Sequence, residues 1–303
     1  ATHYLLTGER RAREVALAMA DNLVRNQTPN GWVCESGLHR EITGAVCTLL
    51  EAYQLTWAEP YRALALNTLT LLRTLANSTG NLPTRIFTGC GPDRIAVDAE
   101  GVDNRTGYPG GMLWYVLHDA WALFQETWIR DWILLLAESW IHGVPCDDIL
   151  PTGRTQPAEG GLTVQEIAPG WLWHSWLSFP NFFFDPLVVL AWRLTGQPRF
   201  LGYLVHRARV FPDMARDAAR LFTGHAFNVL NHAGEAAPSV LSALAQAGDA
   251  DCRAAYAAWK AEREADGFPV YDGPWSHFDD TGTPRGTPRS VTIRLGSPAA
   301  ETP

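Results

Sequence analysis

Several stretches of this sequence hold side chains that can move protons, grip anions or stack on rings. His39-Arg40-Glu41 follows a Gly31-Trp32 loop. A histidine there can act as a base, with an arginine to neutralise a neighbouring anion. The same triplet also suits a polar helix start, where Glu41 gains from the positive end of the helix dipole. Asp103, Asn104, Arg105 and Tyr108 lead into Gly110-Gly111. They offer a carboxylate, an anion grip and a phenolic acid, or a glycine-rich turn held by side-chain-to-backbone bonds. His118 and Asp119 fall in mid-helix, with His118 one turn from Tyr115 and Trp121. Trp171, Trp173, His174 and Trp176 form the densest aromatic cluster, with Glu166 just upstream. Flat indole rings can floor a ligand groove or plug a core. His225 with Asn228, and Asn231 with His232, follow Thr223-Gly224 and read as helix capping.

Several chemistries lack their signatures. There is no GxSxG elbow, no P-loop and no GxGxxG. The cysteines Cys34, Cys47, Cys90, Cys146 and Cys252 show neither a CxxC pair nor metal-ligand spacing. They read as free thiols rather than a disulfide framework, although one bridge stays open. No metal and no cofactor is expected. The formal net charge of −8 argues against a nucleic-acid partner, because phosphate recognition needs a basic surface. No run of 18 apolar residues is present, so no membrane span is expected. No signal peptide is visible, which leaves an extracellular or periplasmic location open. Oligomeric state cannot be read from the sequence.

The elements that must position these residues come from a repeat. Tyr4-Leu5-Leu6-Thr7-Gly8 leads into an amphipathic stretch over 12–26. Tyr53-Gln54-Leu55-Thr56 precedes a helical run to Leu75, and Phe124-Gln125-Glu126-Thr127 one to Ile141. Trp192-Arg193-Leu194-Thr195-Gly196 precedes a run to Val210, and Leu244–Asp249 is a weaker copy before Cys252–Arg263. Thr7, Thr56, Thr127 and Thr195 lie 49, 71 and 68 residues apart. Each unit reads as helix, tight turn, helix: Thr-Gly ends one helix in the left-handed conformation, and an acidic or proline-bearing turn starts the next. Short turns make the two helices antiparallel neighbours, and the pairs must stack to bury their apolar faces. Long glycine- and proline-rich segments, roughly 28–37, 77–111, 143–170 and 266–289, join the units and contain many Trp, His, Arg and acidic residues, Trp32, Asp103, Arg105, Tyr108 and Glu166 among them.

The repeated Tyr-x-x-Thr-Gly-x-x-Arg turn before an alanine- and leucine-rich helix resembles the (α/α) toroid proteins. These include six-hairpin glycosidases and the toroid domains of heparinase-like polysaccharide lyases. His39-Arg40-Glu41-Ile42-Thr43-Gly44-Ala45, and Gly110-Gly111-Met112-Leu113 with Tyr115, His118 and Trp121, resemble inner-ring helix starts of such toroids. The fold expectation is therefore an all-α toroid of antiparallel hairpins over 1–280. The tail over 281–303 reads as a linker, a disordered end or the first strand of a β-domain. At most five hairpins can be counted, and Ala1–Leu6 reads like the end of a helix, so an N-terminal part is expected to be missing.

The resemblance implies a carbohydrate cleft at one end of the barrel and hence a glycan-processing activity. For a lyase, His39 or Tyr108 is the proton-transfer group and Arg40 or Arg105 holds the uronate. For a hydrolase, Asp103 and Glu166 are the first carboxylate pair to consider and must lie about 5–10 Å apart, with Glu41 a further catalytic candidate beside His39. Trp32, Trp171, Trp173, Trp176 and His118 are expected to contact substrate, with His174 a further base. The alternatives are a non-catalytic glycan- or protein-binding module, and a sugar epimerase using His118 and His174 as opposed bases.

Overall fold

A computed structural model describes residues 2–26, 39–76, 80, 82, 86–88, 95–97, 113–142, 162–163, 185–221, 224–265 and 292–293. Ten helices carry it. They are α1 (Thr2–Thr7), α2 (Arg10–Asn26), α3 (His39–Thr56), α4 (Glu59–Leu75), α5 (Leu113–Phe124), α6 (Thr127–His142), α7 (Asp185–Thr195), α8 (Pro198–Leu221), α9 (Gly224–Ala247) and α10 (Asp249–Ala265). Two very short antiparallel ladders accompany them. Ile86–Thr88 pairs with Ile95–Val97, and Leu162–Thr163 with Thr292–Ile293. The all-α class expected from the repeat is therefore what the described residues adopt. No helix among them is long and apolar enough to cross a membrane.

Five tight turns join the helices in pairs, and they share one device. Gly8, Trp57, Gln125, Gly196 and Gly248 all have positive φ, between 54° and 82°. Each donates its backbone N–H to the carbonyl four residues back, on Tyr4, Tyr53, Trp121, Trp192 and Leu244 in turn. This single bond to a left-handed residue is the αL way of closing a helix. In three turns a threonine reinforces it. Thr7, Thr56 and Thr195 each donate Oγ1–H to the carbonyl four residues back, at 2.7–2.8 Å. Each also accepts the N–H two residues on, at 3.2–3.3 Å. One hydroxyl thus adds a second bond to a carbonyl in the last turn of the ending helix and satisfies a backbone donor at the turn. The third turn departs from the expected threonine register. Thr127 opens α6, and the structural equivalent of the other threonines is Phe124, just before Gln125. There the Gln125 side-chain amide donates to the Trp121 carbonyl at 2.7 Å instead.

The chain divides into two compact units, Ala1–Ser139 and Trp140–Pro303. In the first, α3 packs on α2, α4 and α5. Val46, Leu49, Leu50, Leu69, Leu72, Val116, Leu117 and Trp132 are buried there. Tyr53 near the end of α3 meets Phe124 at the end of α5, with ring centroids 5.5 Å apart, so these helices run parallel and level. Arg62 reaches Glu126 at 3.3 Å and Arg73 lies over Trp132, so α4 and α6 are parallel too. Two hairpins therefore stand side by side with their tight turns at one end. In the second unit α8 packs on α7, α9 and α10. Gln197 and the first residues of α8, Pro198 and Arg199, lie beside Ala258, Trp259 and Glu262 of late α10, while Arg209 covers Tyr256 at 4.0 Å. Helices α8 and α10 thus run in opposite directions, unlike α4 and α6.

Two glycines report on different constraints. A Cβ on Gly196, at φ 67°, would meet nothing within 4 Å. Gly196→Ala should therefore cost only left-handed strain, about 1 kcal/mol. A Cβ on Gly202 would press on the Ala255 carbonyl and lie 2.6 Å from Trp259 Cβ. Gly202→Ala should force α8 and α10 apart at a cost of about 3 kcal/mol. Urea unfolding followed by helical circular dichroism measures both, and equal losses would contradict the tight α8–α10 approach.

Candidate functional site

The described residue that the sequence singles out for chemistry is His118, and its surroundings follow from the level, parallel setting of α3 and α5. Helix α5 buries Leu113, Val116, Leu117 and Ala120. That leaves His118 and Asp119 half-exposed, with side-chain exposures of 50% and 48%. Helix α3 buries Ile42, Val46, Leu49 and Leu50, and turns Cys47 and Glu51, one turn apart, to a partly open face. The two faces adjoin. Burial, then the charge of Asp119, then that of Glu51 push the Cys47 thiol up to about 12. His118 Nδ1 lies 2.9 Å from Asp119 Oδ1. Tyr115, one turn back, stacks on Trp114 at 3.6 Å between centroids.

This arrangement permits some chemistry and rules out some. A carboxylate on Nδ1 orients an imidazole so that Nε2 can take a proton, with the tautomer assigned from the contact. Two carboxylates, Glu51 and Asp119, flank the thiol. The thiol stays protonated at neutral pH, so a cysteine–histidine nucleophile does not form here. No group of three His, Cys, Asp or Glu able to hold a metal occurs among the described residues.

The first turn of α3 carries His39, Arg40 and Glu41. The parallel register sets it at the same end of the pair as Leu113, where α5 begins. The side chains of His39, Arg40 and Glu41 lie outside the described residues. So do Trp32, Asp103, Arg105, Tyr108, Glu166, Trp171, Trp173, His174 and Trp176. Cys47 and Glu51 were not singled out in the sequence. The signal was their i, i+4 spacing opposite the buried face of α3.

The second unit holds a different polar group, wholly enclosed. Asp185, in the first turn of α7, accepts Tyr203 Oη–H at 2.7 Å and Arg207 Nε–H at 2.9 Å. Neither Asp185 nor Arg207 has exposed side-chain area. Burial pulls the Arg207 guanidinium down, but attraction to Asp185 and Tyr203 more than compensates, and its pKa is raised overall. Tyr203 and His206 pack against Trp259, with centroids 6.0 and 5.2 Å away. With no exposed area, this cluster is built to hold α7 and α8 to each other. A shallow cavity of about 440 Å³ lies at the α8 start, between Gln197, Pro198, Arg199, Ala258, Trp259 and Glu262.

Compared with protein-family models, curated proteins and solved structures, the chain matches none.

Two outcomes follow from these geometries. The unfolded chain loses the Cys47 proton near the ordinary value of 9.0, while the folded chain keeps it to about 12. Its contribution to stability is complete below the lower value and lost as pH rises through this window. Cys47→Ala should flatten that part of the stability–pH curve, and mass mapping should find Cys47 unalkylated by iodoacetamide at neutral pH in the folded chain. Asp185→Ala should remove the carboxylate that offsets the burial of the Arg207 charge and cost about 3–5 kcal/mol. Asp185→Ala with Arg207→Met should recover part of that loss in urea unfolding.

Proposed function

We propose that this chain is a glycan-processing enzyme of the α/α-toroid kind, a glycoside hydrolase or polysaccharide lyase working on a polysaccharide or oligosaccharide. The observation that carries the reading is the parallel register of α3 and α5. It brings His118, Asp119 and Glu51 to one partly open face, with the His39–Glu41 turn at its head. The repeated hairpin supports it.

In this reading His118, oriented by Asp119, moves the proton, and substrate lies along the α3–α5 face. For hydrolysis, Glu51 and Asp119, which both act on the Cys47 thiol, are the described carboxylates we would assign as the pair. For elimination, His118 is the base, and Arg40 or Arg105 neutralises the uronate. A non-catalytic glycan-binding module is the second reading, favoured by the half-exposure of the His118–Asp119 pair.

A panel of plant and bacterial polysaccharides, assayed for new reducing ends and for absorbance of unsaturated uronates, tests the proposal. Either activity is expected, and His118→Ala should lower it about 100-fold or more. Glu51→Gln should be as damaging in a hydrolase and mild in a lyase. Silence in both assays, with glycans still bound on affinity gels, would replace the enzyme by the binding module.

A further inference from the structure

Trp132 and Trp259 are both fully buried, yet their indole N–H groups fare differently. Trp132 Nε1–H donates to the Gly80 carbonyl at 2.8 Å. Trp259 Nε1–H is buried without a hydrogen-bond partner among the described residues, and so is the acceptor Oε1 of Gln197. Buried polar atoms are nearly always paired, so two orphans in one place call for a cause. The indole is not free to turn away. Its ring lies against Tyr203, His206 and Tyr256, with centroids 6.0, 5.2 and 6.2 Å away, and its Cβ meets the close approach at Gly202. Both orphans belong to residues that line the cavity of about 440 Å³ between the start of α8 and late α10.

We propose that this cavity is a binding site for a free α-amino acid. Its volume falls within the range usual for small-molecule sites, roughly 300–1,000 Å³. Its two walls carry opposite charge. Gln197, Pro198 and Arg199 form one wall, and Ala258, Trp259 and Glu262 of α10 form the other. The α8 wall favours an anion. Arg199 is a cation there, and the first turn of this 24-residue helix adds the positive end of its dipole and N–H groups that have no partner within the helix. Glu262 favours a cation. It enters no ion pair among the described residues, whereas Lys260 nearby pairs with Glu264 at 3.7 Å. A carboxylate placed at Arg199 accepts Trp259 Nε1–H, and an ammonium placed at Glu262 donates to Gln197 Oε1. An α-amino acid carries those two charges on one carbon, and Pro198 and Ala258 leave apolar surface for a short aliphatic side chain. Sugar hydroxyls would meet the two orphan atoms equally well but make no use of the opposed charges.

The site lies within the second unit and does not rest on the glycan reading of the α3–α5 face. Isothermal titration calorimetry of the intact chain with a panel of free L-α-amino acids tests it. An aliphatic member such as alanine, valine or leucine should bind with a Kd in the micromolar range. Its N-acetyl and carboxamide derivatives, each lacking one charge, should bind about 10-fold more weakly or worse. Glu262→Gln, at an exposed position, should weaken binding about 10-fold without changing helical content, and Trp259→Phe, which removes the orphan donor, should do the same. Should Trp259→Phe fail to fold, Glu262→Gln decides. No heat from any member of the panel, equal binding of the N-acetyl derivative, undiminished binding in folded Glu262→Gln, or binding of neutral monosaccharides in place of amino acids would overturn the proposal.

Discussion

The rest of the fold depends on a backbone conformation that most residues avoid. Each hairpin reverses at a residue with positive φ, whose N–H closes on the carbonyl four back. An L-residue there strains against its own Cβ, which is why glycine serves at positions 8, 196 and 248. Trp57 and Gln125 occupy the same conformation with side chains that bind their own turn. Trp57 lies edge-on to Tyr53 at 5.1 Å, and the Gln125 amide reaches the Trp121 carbonyl. The reversal is short because one residue both ends a helix and aims the next. That shortness makes the paired helices antiparallel neighbours and decides which faces are left to bury.

What the two units do with that constraint differs. In the first, the turns ending α3 and α5 lie side by side, tied by the Tyr53–Phe124 contact and the Arg62–Glu126 ion pair. The ion pair, partly open to solvent, contributes little energy. Its consequence is register, because it levels two hairpins and so aligns Cys47 with Asp119. In the second unit, Gly202 lets α10 approach α8 until backbone meets backbone, and α10 runs against α8. Asp185 and Arg207 are then wholly enclosed, and Tyr203 donates to the same carboxylate. A pair of this kind adds less stability than apolar packing of equal volume, but it penalises any packing in which one partner is left alone.

The hairpins were legible because glycine, threonine and helical periodicity leave local marks. Leu244–Gly248, the faintest copy, still closes through Gly248 N–H to the Leu244 carbonyl at 3.0 Å. The misplaced register at Thr127 shows the limit of that reading. Threonine is one means of satisfying the turn, and Gln125 achieves the same end without it, so counting threonines shifted the third unit by three residues. The reversed course of α10 left no local mark, because direction is set by contacts far apart in sequence, such as Gly202 with Ala255. The candidate site was legible in part for the same reason. His118 stood out by type and by its spacing from Tyr115, whereas Cys47 and Glu51 acquire meaning only when α3 is laid beside α5.

That juxtaposition also bears on why the α3–α5 face is polar. A seam that served packing alone would gain most from apolar side chains at 47, 51 and 119, since each buried methylene is worth about 0.8 kcal/mol. This chain instead sets two carboxylates around a partly buried thiol, and their charges oppose its ionisation. Both carboxylates keep partial contact with solvent, so this face stays polar where packing alone would favour apolar side chains.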